Sequence, residues 1–209
     1  MRSFKKFPVI LFWLLYFLAI AAPCAEAEKS LHSQLKALLI QSQTAKEIRG
    51  HFQQKKIIQE LGLEIDSSGD FLIQKFNVQD RTLFWSVKKP ETFEMCIDND
   101  HIVLQNPKKQ VMSLKELSGN TYDQILYLLN LLSFNFNFLE KNFQLSKDKE
   151  IWVFRPINDK SFLFDKIHLE IDTKGKIKMV ELFERSNDKI QIRFENVRYS
   201  NQLKMQKCH

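Results

Sequence analysis

Catalysis and metal binding need particular side chains at particular spacings, so histidines, cysteines and paired carboxylates are the first places to look. The five histidines are His32, His51, His101, His168 and His209. No two have the close spacing of a metal pair, and none stands beside a cysteine in a ligand-like cluster. Asp98 and Asp100 are spaced like paired carboxylates, but with Asn99 between them they read as a hairpin turn. His168 alternates with Ile167 and Leu169 and so faces away from them, toward solvent. There is no Gly-x-Ser-x-Gly elbow for a serine nucleophile, and five scattered glycines cannot build a phosphate cradle. The residues point away from an enzyme and imply neither a metal nor a cofactor. A lipid hydrolase assembled from distant residues is the catalytic alternative.

The N-terminus and the cysteines speak to compartment. Arg2, Lys5 and Lys6 precede an almost unbroken apolar run from Phe7 to Ala22, and Ala25 and Ala27 lie three and one positions before Glu28. This is the layout of a secretory signal peptide cut near Ala27, and its run of about 16 residues falls short of the roughly 20 that span a bilayer. Residues 1–27 are expected to be that signal and residues 28–209 the exported, periplasmic domain. A retained anchor is one alternative. Lipid attachment at Cys24 is another, although Pro23 stands where such a signal wants a small residue. An oxidising compartment permits a bond between Cys96 and Cys208, and two free thiols are equally compatible. The formal net charge is +6, and residues 1–27 carry three bases and one acid, which leaves +4 on the rest. Acids and bases are interspersed without a nucleic-acid stripe, while weak attraction to anionic headgroups is compatible.

Any function must rest on the elements that position apolar side chains. Residues 31–48 keep helical spacing through Leu31, Leu35, Leu38, Leu39 and Ile48, with Ser30 as N-cap and Gly50 ending the pattern. The period then changes to two. Phe52 opens a strand reaching Ile57 and Ile58, and Asp66-Ser67-Ser68-Gly69-Asp70 reads as a turn before Phe71 and Ile73. Leu83, Trp85 and Val87 share one strand face, as do Phe93, Met95 and Ile97; Ile102 and Leu104 follow. From Thr121 to Phe143 runs a stretch too apolar for a surface helix, broken near Asn135 and Asn137, its second piece passing through Leu139 to Phe143. Strands resume with Trp152 and Phe154; Phe162 and Phe164; Ile167, Leu169 and Ile171; Ile177 and Met179, or Val180 and Leu182; and Ile190, Ile192 and Phe194. Asp172-Thr173-Lys174-Gly175 and Asn187-Asp188 are hairpin turns. No linker or repeat divides the chain. The expected fold is α+β, a curved and incomplete antiparallel β-barrel of about 10–11 strands whose concave face is covered by helices.

Six segments carry a resemblance, in order. They are Ile48-Arg49-Gly50-His51-Phe52-Gln53-Gln54-Lys55-Lys56-Ile57, Ile65-Asp66-Ser67-Ser68-Gly69-Asp70-Phe71-Leu72 and Leu83-Phe84-Trp85-Ser86-Val87-Lys88-Lys89-Pro90, then the pair Leu131-Leu132-Ser133-Phe134-Asn135-Phe136 and Leu139-Glu140-Lys141-Asn142-Phe143. Trp152-Val153-Phe154-Arg155-Pro156 and Ile192-Arg193-Phe194-Glu195-Asn196-Val197-Arg198 complete the set. In this order the chain resembles the periplasmic outer-membrane lipoprotein carrier family, LolA, and in particular its shorter LolA-like branch.

The resemblance implies a monomeric carrier whose apolar cavity receives the acyl chains of lipoproteins or lipids. It also implies an inner-membrane release complex that loads it and an outer-membrane acceptor that unloads it. The strand residues that would line such a cavity are Phe52, Phe71, Leu83, Trp85, Phe93, Met95 and Ile97, with Trp152, Phe154, Ile167, Leu169, Ile192 and Phe194 from the second half. Ile125, Leu128, Leu129 and Leu132 would form a helical lid. Family carriers often latch that lid with an arginine near the tryptophan strand; Arg81 is the nearest counterpart and Arg49 the other candidate. An accessory protein that binds free acyl intermediates without transferring lipoprotein is the alternative role, and an outer-membrane acceptor lipidated at Cys24 a further one.

Overall fold

Residues 22–77, 80–98, 101–106, 108–113, 129–158, 162–206 and 208 are described in a computed structural model of the chain. Helix α1 (Ala22–Leu38) begins before Ser30 and runs through the expected cut, because Ala, Glu and Lys are good helix formers on both sides of it. Ser30 is therefore inside the helix rather than its cap. Helix α2 (Ile40–Thr44) follows, and Ala45 is extended, so the helical pattern stops short of Gly50.

Strand β1 (Glu47–Ile58) already contains Ile48 and Gly50. A Cβ on Gly50 would stand 2.9 Å from the Phe71 ring and 2.8 Å from the Glu195 carbonyl oxygen, so glycine here makes room for an aromatic rather than ending a helix. The reversal into β2 (Leu63–Lys75) occurs at Gln59–Leu61, where Gly62 takes a left-handed φ of 58°. The expected turn at Asp66–Asp70 is instead strand, paired to β1 along its whole length. Gly69 supplies close approach there: a Cβ would fall 1.8 Å from the Ser86 carbonyl oxygen of the next strand.

The remaining strands are β3 (Arg81–Lys89), β4 (Phe93–Ile97), β5 (His101–Asn106), β6 (Lys108–Ser113), β7 (Phe143–Asp148), β8 (Ile151–Pro156), β9 (Phe164–Ile171), β10 (Ile177–Glu184) and β11 (Lys189–Ser200). All eleven form one antiparallel sheet in the order β6-β5-β4-β3-β2-β1-β11-β10-β9-β8-β7. Two meanders are thus joined where β1 pairs with β11, and the sheet stays open between β6 and β7. Strand β6 had no period-two signal in the sequence. Phe143, expected at a helix end, opens β7.

The turns at Asp98, at Asp172–Gly175 and at Asn187 form as expected. Asp98 Oδ1 accepts from the His101 amide at 2.7 Å, and Asp172 Oδ1 accepts from the amides of Lys174 and Lys176 at 2.9 and 2.8 Å. A register shift between Ile177 and Met179 resolves the choice in β10, placing Ile177 as well as Val180 and Leu182 in the core. No described helix is long and apolar enough to cross a membrane.

Candidate functional site

Cross-strand register decides which side chains share a face, because directly paired residues point the same way. Phe52 pairs with Phe194, Phe71 with Trp85, Trp85 with Met95, Leu83 with Ile97, and Val87 with Phe93. On the other wing Val180 pairs with Ile192 and Leu169, Leu169 with Trp152, and Ile167 with Phe154. Every strand residue proposed as cavity lining therefore stands on one apolar face. At its centre the Phe52 and Trp85 rings are stacked with centroids 3.8 Å apart, and Phe71 meets Phe194 edge-on at 5.2 Å. Gly50 leaves room for the Phe71 ring.

That face is covered rather than open. All of the lining residues but Phe93 and Met95 are buried, with Phe154 and Leu169 at 0% exposure. Most of the cover comes from the apolar stretch between β6 and β7, with Leu35 and Leu39 of the N-terminal helices beside it: residues 129–132 are helical, and α3 (Phe136–Asn142) follows the break at Asn135. Leu129, Leu131, Leu132, Phe134, Phe136 and Leu139 are buried in the same core cluster as the strand residues. Ile125 and Leu128, the other lid residues, lie outside the described residues.

The break is built by backbone hydrogen bonds. The Phe134 amide donates to the Leu131 carbonyl at 3.0 Å and the Asn135 amide to the Asn130 carbonyl at 2.9 Å, the pattern of a Schellman C-cap. Phe134 occupies the left-handed position at φ 53°, where glycine is usual, and its buried ring holds it there. Asn130 Oδ1 accepts from Asn135 Nδ2 at 2.7 Å and from Arg81 Nη1 at 3.3 Å. Arg81, at the start of β3, thus touches the C-terminal end of the helical cover, where a cation is favoured. Arg49 instead bonds Glu47 on its own strand. Asn135 and Asn137 in the apolar run were the sequence signal for the break; Asn130, which ties it to Arg81, was not singled out.

The opposite face carries a feature the sequence left open. Cys96 and Cys208 form a disulfide, which fixes the tail to β4. Gln74, fully buried, donates to the Lys204 carbonyl and accepts from the Gln206 amide at 3.1 Å. The tail after β11 is thereby strapped across the outer side of the sheet, beside a pocket of about 570 Å³ lined by Phe84, Cys96, Val103 and Met205. His168 is on the outer face as expected, but it packs against Phe183 with ring centroids 4.6 Å apart and lies 3.5 Å from Glu181. Burial holds its pKa below the ordinary histidine value. Among the described residues no group of three His, Cys, Asp or Glu side chains could hold a metal ion.

Solved structures align with this chain at low identity. An outer membrane lipoprotein-sorting protein domain from Vibrio parahaemolyticus aligns at 11% identity and TM-score 0.50, over 86% of this chain and 95% of that one. A DUF1329 family protein from Desulfovibrio piger aligns at 11% identity and TM-score 0.49, over 85% and 95% of the two chains. The MucA/MucB complex of Pseudomonas aeruginosa aligns at 10% identity and TM-score 0.47, over 80% of this chain and 56% of that one. No curated protein matches the sequence. Residues 43–207 match the model of the outer membrane lipoprotein carrier protein LolA, from the end of α2 through every strand to the strapped tail. An open antiparallel sheet with one apolar face under a helical cover is what that match spans, and the chain belongs to the LolA family.

Proposed function

We propose that the protein is a periplasmic carrier that binds acyl chains of lipoproteins or lipids on the inner face of its sheet, after export and cleavage near Ala27. The observation that carries this reading is that the apolar face is continuous from β4 through β8 while its cover is a separate chain segment outside the sheet. A cover of that kind can leave without breaking a strand pair.

The magnitudes allow an exchange. Six buried Leu and Phe side chains at roughly 1.5–3 kcal/mol each give a cover worth roughly 9–18 kcal/mol of apolar burial. A sixteen-carbon acyl chain at about 0.8 kcal/mol per methylene offers about 12 kcal/mol. Replacing one by the other is nearly balanced, so cargo would be held reversibly. Arg81 acts in this scheme as the latch that favours the covered state through Asn130. Loading by an inner-membrane release complex and unloading to an outer-membrane acceptor follow from the family. Lipoprotein is the cargo that the family favours over free acyl intermediates.

Native mass spectrometry with organic extraction, on protein purified from a bacterial periplasm, tests the reading. A bound lipid or acylated peptide is the expected result, and its identity separates lipoprotein cargo from free lipid. An apo mass together with no uptake of added fluorescent fatty acid would overturn it.

A further inference from the structure

A cleft of about 370 Å³ opens beside the helical break, within the roughly 300–1,000 Å³ of small-molecule sites. Its charged lining among the described residues consists of Lys36, Lys46, Lys75 and Arg81, with no acidic residue among them. Polar groups of Thr44, Ser133 and Asn137 complete the walls.

Arg81 is buried and Lys75 half-buried, at a cost that the described residues do not offset. Arg81 is only 8% exposed, spends Nη1 on a neutral amide, and its buried Nε has no acceptor among the described residues. Lys75 donates to the Ser42 carbonyl, again a neutral partner. Buried charges are ordinarily paired, and a guanidinium with an unused donor next to an ammonium is short of an anion. Burial and the nearby Arg81 push the Lys75 ammonium down to about 8, which is the electrostatic signature of the same deficit.

We infer that the Lys75–Arg81 cleft is an oxyanion site that takes a phosphate group, carried by a lipid headgroup or free in solution. Arg81 would offer its fork to two phosphate oxygens and Lys75 a point charge to a third. Because Arg81 also holds Asn130, an anion there competes with the contact that closes the cover. A phosphate-bearing cargo would thus loosen the lid at the moment its chains need the sheet. This last step rests on the carrier reading; the anion site does not.

The experiment is calorimetric titration of the whole exported protein with inorganic phosphate, and separately with monomeric dihexanoyl phosphatidylglycerol and uncharged dihexanoyl glycerol. Saturable binding of both phosphate compounds supports the anion site with free phosphate as a ligand. Binding of the phospholipid with no response to inorganic phosphate supports the headgroup source, provided that the glycerolipid binds at least tenfold more weakly. Loss of at least tenfold in affinity is expected in Arg81→Gln and in Lys75→Gln, each checked for native circular dichroism. No saturable response to either phosphate compound in the unmodified protein overturns the site whatever the variants do. Equal affinity for phospholipid and glycerolipid, with no response to phosphate, also overturns it while leaving the carrier reading standing.

Discussion

Lys75 is half-buried and, among the described residues, donates to a carbonyl oxygen rather than a carboxylate, so its charge works against folding. Its pKa falls from 10.5 to about 8 on folding. Between those values the unfolded chain holds a proton that the folded chain has released, and stability rises with pH through this window. Below pH 8 the cost is fully present, with a ceiling on the order of 3 kcal/mol. Lys75→Met is therefore expected to be more stable than the parent by about 1–3 kcal/mol at pH 7, the advantage shrinking toward zero by pH 10.5. Urea denaturation of both proteins at the two pH values, in phosphate-free buffer, measures it. A pH-independent difference would show that the gain comes from packing alone. None of this was legible in the sequence: Lys75 and Arg81 are separated by a hairpin, and only the closing of β2 on β3 brings them together.

At the scale of elements, period-two alternation was the readable part. It placed every lining residue on one face because each is fixed by strand parity alone, before any partner is known. Where the reading failed, long-range pairing had overridden local composition. Ser67-Ser68-Gly69 looks like a turn in isolation, yet it is drawn into β2 by partners on both sides. The lid segment was legible from its surplus of leucine and its break from Asn135, but not the left-handed backbone that Phe134 accepts at that junction. That junction sets the expectation for the lid. Leu129 is 2% exposed against the sheet. Leu129→Arg is expected to keep the strand circular dichroism, lose about 2–5 kcal/mol of stability and bind more of a hydrophobic dye, because the cover detaches while the sheet remains. Dye binding equal to the parent would count against a separable cover.

The whole molecule is two meanders sharing one seam, and its ends are managed differently. The N-terminal helix packs against β7, whereas the C-terminal tail crosses to the far wing and is bonded to β4. The disulfide closes a span of 112 residues that includes the lid and the second meander with β11, but not its seam partner β1. Cysteine counting allowed this bond and could not require it, since two cysteines far apart in sequence say nothing of distance in the fold. Cys208→Ser is expected to lower the unfolding free energy by about 2–5 kcal/mol, read from urea midpoints, and added reductant should do the same to the parent. A change under about 1 kcal/mol would show that the strap is held by Gln74 alone.

The central claim is that an acyl chain lies on the inner face in place of the cover. Trp85 and Trp152 stand on that face, on opposite wings of the sheet, and Trp13 is the third tryptophan of the chain. Quenching by dibrominated stearic acid therefore reports contact directly, in Trp13→Phe protein carrying either Trp85 or Trp152 alone. Saturable quenching of both single-tryptophan proteins, with matching midpoints, is the predicted result. Fatty acid that binds while leaving both indoles unquenched would place the chain elsewhere and contradict the account.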